Sequence, residues 1–119
     1  MKKLQISIRH YFDLEDIKCL LDSASRGSSY WCENTLAYES EVEKVFSEEG
    51  LEIKDIEDEE LRSEIGKRYI LNTDKIKKGL RVLAKKYPTH FADFVSGNYD
   101  MYTGDIFLQC CLFGKEVYS

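Results

Sequence analysis

Two short runs of this 119-residue chain set polar side chains beside large aromatic rings. In the first, Ser28-Ser29-Tyr30-Trp31 follows directly on a helix-ending glycine, Gly27. Hydroxyls and backbone donors next to an indole suit a ligand built of a flat ring with polar substituents, such as a nucleotide. In the second run, Asp105 and Gln109 lie four residues apart and Tyr102 precedes Asp105 by three, so a helix presents all three on one face. That face can read the donor edge of an amine, a ribose or a base. Both runs also have plainer explanations. Tyr30 and Trp31 can open a strand and fill the core, because tryptophan is highly buried on average. Asp100 at a helix start serves the backbone amides as a cap.

Other chemistries find little footing. His10 and His90 are the only histidines, and neither has metal-ligand spacing to Cys19, Cys32, Cys110 or Cys111. The cysteines lack both CxxC spacing and a disulfide rhythm, which reads as reduced thiols acting as small hydrophobes. Nothing around Cys32 resembles a nucleophile signature. Gly27, Gly104 and Gly114 are too scattered for a phosphate-cradling loop. The expectation is a binding protein without catalytic residues, metal or cofactor.

The elements that must position these residues follow from periodicity. Leu4, Ile6 and Ile8 alternate with Gln5, Ser7 and Arg9, the pattern of a half-buried first strand. Asp13 with Asp16 makes a capping box, and Phe12 can staple onto Ile17. Leu14, Ile17, Leu20, Leu21 and Ala24 then stripe a helix that Gly27 closes. Ser29–Tyr38 reads as extended, and 68–71 as a short strand. Ile76, Leu80, Leu83 and Tyr87 stripe a second long helix, capped by Asn72 or Thr73 and stopped by Pro88. Its other face is basic: Lys75, Lys77, Lys78, Arg81 and Lys85. A short helix from Thr89 to Val95 follows, and a last helix runs from about Thr103 to Phe113. From Ile106 to Phe113 only Gln109 is polar, so this helix must be buried on all sides. Asp105 and Gln109 then need partners, and the expectation is that a guest molecule supplies them.

The chain fits one domain, residues 1–119, of class α+β, with an antiparallel sheet of two or three strands against three or four helices. No 18-residue apolar run suggests a membrane span. The net charge of −5 hides a division. Residues 39–64 hold 12 acids and three bases, whereas 67–86 hold eight bases and one acid. The expectation is that 39–65 is an acidic surface insertion, with helical Val42, Val45 and Phe46 ahead of an irregular stretch. Opposite charges on adjacent segments also favour a homo-oligomer. A negative domain is a poor general binder of nucleic acid.

Two segments resemble a set of small phage and prophage proteins, especially of Firmicutes. They are FDLEDIKCLLDSASRGSSYW and GLRVLAKKYPTHFADFVSGNYDMYTGDIFLQCCLFGKEVY, together about 60 of the 119 residues. The shared pattern is an Asp-Ile-x-x-Leu-Leu helix (Asp16, Ile17, Leu20, Leu21), then Tyr30-Trp31. A C-terminal half with Asp100, Asp105, Gln109, Phe113, Gly114 and Glu116 completes it. The chain departs at Arg26, where the pattern expects an acid, and at Gly104, where it expects Ala. The resemblance implies a phage accessory protein of the host cytoplasm that counters host defence. In that setting the set Arg26, Ser28, Ser29, Tyr30, Trp31, Tyr102, Asp105 and Gln109 would sequester a small nucleotide-like signalling molecule. Arg26 would pair its phosphate, and the rings would stack on its base. The alternatives are an acidic, nucleic-acid-mimicking inhibitor of a defence nuclease, acting through residues such as Glu57–Glu60, and a phage accessory protein without a defence role.

Overall fold

The computed structural model describes residues 2–57 and 67–119. Eight elements follow in order: α1 (Leu14–Gly27), β1 (Cys32–Glu33), α2 (Glu39–Val45), β2 (Leu51–Asp55), β3 (Lys67–Leu71), α3 (Thr73–Lys86), α4 (Pro88–Val95) and α5 (Met101–Phe113). The fold is α+β. Its sheet is antiparallel throughout, in the order β1-β2-β3, with Leu51 opposite Leu71 and Cys32 opposite Asp55.

Helix α5 is the centre of the molecule. Every residue from Thr103 to Leu112 is buried, as an all-round apolar sequence requires. It packs on α1, α3, α4 and β3. Its start is capped by the Asp100 carboxylate, which accepts from the amides of Tyr102 and Thr103, and Gly114 closes it at φ 74°. Glycines permit the helix crossings. A Cβ on Gly104 would collide with the α1 backbone at Ser23 and Ala24, and one on Gly79 would strike Cys111. Asn72 caps α3 by accepting from the Lys75 amide, as expected.

Five expectations need correction. The alternating N-terminal segment forms no strand: residues 2–13 are irregular, and Leu4, Ile6 and Ile8 are exposed. Alternation qualifies a strand for one buried face but supplies no neighbour to pair with. The described part of 39–65 is no appended insertion, because Leu51–Asp55 is the middle strand and buries Leu51, Ile53 and Asp55. Helix α2 buries Val42 and Val45 as expected, and residues 58–65 lie outside the described residues. The extended stretch expected over Ser29–Tyr38 shrinks to the two residues of β1 amid turns. At α1, Asp13 sits at the N-cap without a side-chain bond, so the capping box does not form. Gly27 is not in the left-handed region; it is required because a Cβ there would overlap the Met101 carbonyl of α5.

Candidate functional site

Four of the eight expected site residues do converge. Turns after α1 carry Tyr30 and Trp31 onto the face of α5 that bears Asp105 and Gln109. Trp31 Nε1 donates to Asp105 Oδ1 at 2.7 Å, and the Tyr30 hydroxyl donates to Asp105 Oδ2 at 2.7 Å. Gln109 Nε2 donates to Asp105 Oδ1 and to the Tyr118 carbonyl, each at 3.0 Å. Gln109 Oε1 accepts from the amides of Val117 and Tyr118 at 2.6 and 2.8 Å. The C-terminal segment thus folds back over α5. The Tyr118 ring stacks on Trp31 at 5.4 Å between centroids, and its hydroxyl donates to Asp55 on β2 at 2.7 Å.

This cluster is complete without a guest. Trp31 and Gln109 are wholly buried, and among the described residues every buried side-chain polar atom has a partner. The indole has Tyr118 and Phe113 against it and offers no face to a base. Burial, then the bond to Asp105, raises the Tyr30 phenol far above its usual range and keeps it a donor. The expectation that Asp105 and Gln109 await a ligand is therefore corrected. They join the turn after α1, the last helix and the tail.

The other four residues are placed elsewhere. Ser28 is buried, donating to the Ala24 carbonyl at 2.6 Å and accepting from Asn34 at 3.2 Å and from the Cys32 thiol at 3.3 Å. Ser29 is exposed and bonded to the Arg26 carbonyl. Arg26 is exposed and paired with Asp22 one turn earlier, so its charge is already answered. Tyr102 is half exposed and meets the His90 ring edge-on. His90 in turn lies 2.8 Å from the Thr103 hydroxyl.

The structure offers a different candidate. A cleft of about 950 Å³ opens between residues 8–12, α1, α3 and α4. Arg9, Lys77, Arg81 and Lys85 line it, and no carboxylate does. None of the four cations is ion-paired among the described residues. Its floor is apolar, from Ile76, Leu80 and Phe46, and its wall carries His10, Phe12 and Phe91. Those rings form one packed group: His10 meets Phe91 edge-on at 5.2 Å, and Phe12 stacks on Phe94 at 5.3 Å. The volume falls within the range of small-molecule sites, roughly 300–1,000 Å³. A second cleft of about 580 Å³ beside α1 mixes both signs of charge, and its cations Lys18 and Arg26 are paired with Glu43 and Asp22.

Sequence reasoning saw half of the cationic cleft. The basic face of α3 is legible in the sequence, but the alternation of Leu4, Ile6 and Ile8 predicts a strand along the opposite wall, which hides the partnership of Arg9 and His10 with Lys77 and Arg81. The one available signal was the aromatic spacing: Phe12 has a second large ring two residues upstream, at His10, ahead of an apolar helix. Among the described residues no three His, Cys, Asp or Glu side chains are grouped to hold a metal ion. No helix there is long and apolar enough to cross a membrane.

The chemistry that fits this cleft is that of a small anion with an apolar or flat portion. Comparison adds no relative: no family model matches the chain, and no curated protein or solved structure is detectably similar to it.

Proposed function

We propose that this chain is a phage accessory protein that sequesters a small nucleotide-like anion, and that the anion sits in the cleft between residues 8–12 and α3. One observation carries the reading. In a chain of net charge −5, four cations line a single cleft with no carboxylate among them. Like charges gathered without counter-ions raise the electrostatic energy of the empty fold, and an anion relieves it. Arg9 and Arg81 offer planar forks for phosphate oxygens, and Lys77 and Lys85 add point charges. His10, Phe12 and Phe91 offer ring faces and edges to a base. The Thr73 hydroxyl at the α3 end of the cleft is available to a ribose.

A calorimetric titration and thermal-shift screen with cyclic dinucleotides and ADP-ribose derivatives tests this. A ligand held at 100 times its Kd stabilises by about 2.7 kcal/mol, a shift of several degrees. The effect must vanish in Lys77→Glu/Arg81→Glu, whose substitutions lie on an exposed face and leave the fold intact. If no such compound moves the melting temperature, or if the double variant still binds, the proposal fails. Loss of activity on neutralising Glu57, Asp58, Glu59 and Glu60, with no nucleotide bound, would instead support the acidic-inhibitor reading.

A further inference from the structure

The N-terminal arm and the sheet each lack a neighbour. Residues 3–9 alternate as a strand does, yet Leu4 is 98% exposed, Ile6 78% and Ile8 69%. Period-two apolar alternation is useful only where a ladder partner and a covered face exist together. Strand β3 ends the sheet, and among the described residues no backbone bond reaches it from its outer side. Bare edge strands are ordinarily guarded by charged side chains, proline or a bulge. Here Arg68 is held by Glu52 on β2, and Lys67 lies over the Tyr69 ring at 5.4 Å. The stretch Tyr69-Ile70-Leu71 has no guard, and Ile70 is 47% exposed.

We infer that residues 4–8 of one copy add as a fourth strand to β3 of a second copy, with Arg9 staying at the cleft of its own copy, and that the exchange is reciprocal. In its own copy the arm is pinned at its far end, with His10 and Phe12 against Phe91 and Phe94, while Leu4 touches almost nothing. Side-chain pattern selects the register. Leu4 opposite Leu71 and Ile6 opposite Tyr69 place both on the covered face, where Tyr69 meets Phe113. Gln5 and Ser7 then lie beside Ile70 and Arg68 on the open face. A slip of one residue turns every apolar arm side chain to solvent. Charge selects the direction. An antiparallel arm carries Lys2 and Lys3 toward the Leu71 end, where β2 begins just after exposed Glu48 and Glu49. A parallel arm sets Lys3 against Lys67 and Arg68. Residues 2–9 hold three cations (Lys2, Lys3 and Arg9) and no acid in a chain of net charge −5, so a second copy attracts them. Reciprocal exchange closes the assembly as a two-fold dimer and leaves no open edge at β3.

The test needs no nucleotide and so stands apart from the anion reading. Sedimentation velocity of the full chain should give a dimer. Ile6→Asp, at a site exposed in the single copy, should weaken dimerisation at least tenfold while circular dichroism and Trp31 emission stay unchanged. In a Cys19→Ser background, mixing a Ser7→Cys chain with an Arg68→Cys chain should give an inter-chain disulfide, more than either chain gives with itself. Ile6→Cys with Arg68→Cys, on opposite faces, should not. A monomer at every concentration overturns the inference. So does a dimer indifferent to Ile6→Asp, or a disulfide that closes within one chain bearing both Ser7→Cys and Arg68→Cys.

Discussion

Replacing Gln109 by Glu keeps the shape of a wholly buried side chain and exchanges its donor for an oxygen. The native amide nitrogen lies 3.0 Å from Asp105 Oδ1 and 3.0 Å from the Tyr118 carbonyl. The new oxygen would face both acceptors. Two outcomes compete. Two ionised carboxylates 3.0 Å apart repel by about 5–6 kcal/mol at an effective dielectric of about 20. Holding the new Glu protonated at pH 7, against a reference value near 4.3, costs about 3.7 kcal/mol and restores a donor to Asp105. Protonation is the cheaper route, so Gln109→Glu should lose about 3–4 kcal/mol at pH 7. The sign of the pH dependence follows. A glutamate protonated in the native state and ionised in the unfolded chain makes the native state bind the extra proton, so stability falls as pH rises. The deficit relative to the parent chain should grow by about 1.4 kcal/mol per pH unit above about pH 4.3 and disappear below it. Urea unfolding followed by the emission of Trp31, the sole tryptophan and fully buried, measures it at several pH values. A deficit that is flat between pH 5 and 7.5, or below about 1 kcal/mol at pH 7, would falsify the closed cluster and return Asp105 and Gln109 to solvent or to a ligand.

Three further outcomes are expected. Gly104→Ala gains about 1 kcal/mol of helix propensity but drives a methyl into the α1 backbone at Ser23 and Ala24. Thermal unfolding should therefore show a net loss of a few kcal/mol. Tyr118→Phe removes the bond to Asp55 yet keeps the ring on Trp31, and should cost about 1–2 kcal/mol in urea with Trp31 emission unshifted. Burial pushes the Cys110 thiol up to about 12 and that of Cys111 well above its ordinary value, whereas Cys19 is exposed. One thiol per chain should then react with an aromatic disulfide reagent at pH 8, and four after denaturation. Because those folded-state thiols hold protons that the unfolded chain releases, stability should also decline as pH climbs past about 8.5.

The helices were legible because their signals are local. Asn72, Asp100 and Gly114 mark ends that the chain uses, and the apolar run from Ile106 to Phe113 announced a buried helix. The sheet was harder. Leu51, Ile53 and Asp55 point inward while Glu52 and Lys54 alternate between them, so the central strand lay inside a run whose charge density read as surface. Residues 3–9 show the converse: a clear strand pattern whose partner no local rule supplies. The convergence of Tyr30 and Trp31 with Asp105 and Gln109 could be anticipated from type and spacing. Their satisfaction could not, because the partners of Gln109 are main-chain amides of Val117 and Tyr118, and an amide has no sequence signature. The cationic cleft depends on Phe12 reaching Phe91 and Phe94, a long-range packing event of the same kind.

Helix α5 touches α1, α3, α4 and β3 at once, so none of these can swing away without wetting it. Partial opening is thereby penalised throughout the interior, and the amides of Ile106–Leu112 should exchange with deuterium only through global unfolding. The arm and the adjoining side of the cleft rest on α4 and the outer face of α3, and can breathe at little cost. The molecule thus separates a rigid hub from a compliant rim, with the four cleft cations, unpaired among the described residues, on the rim.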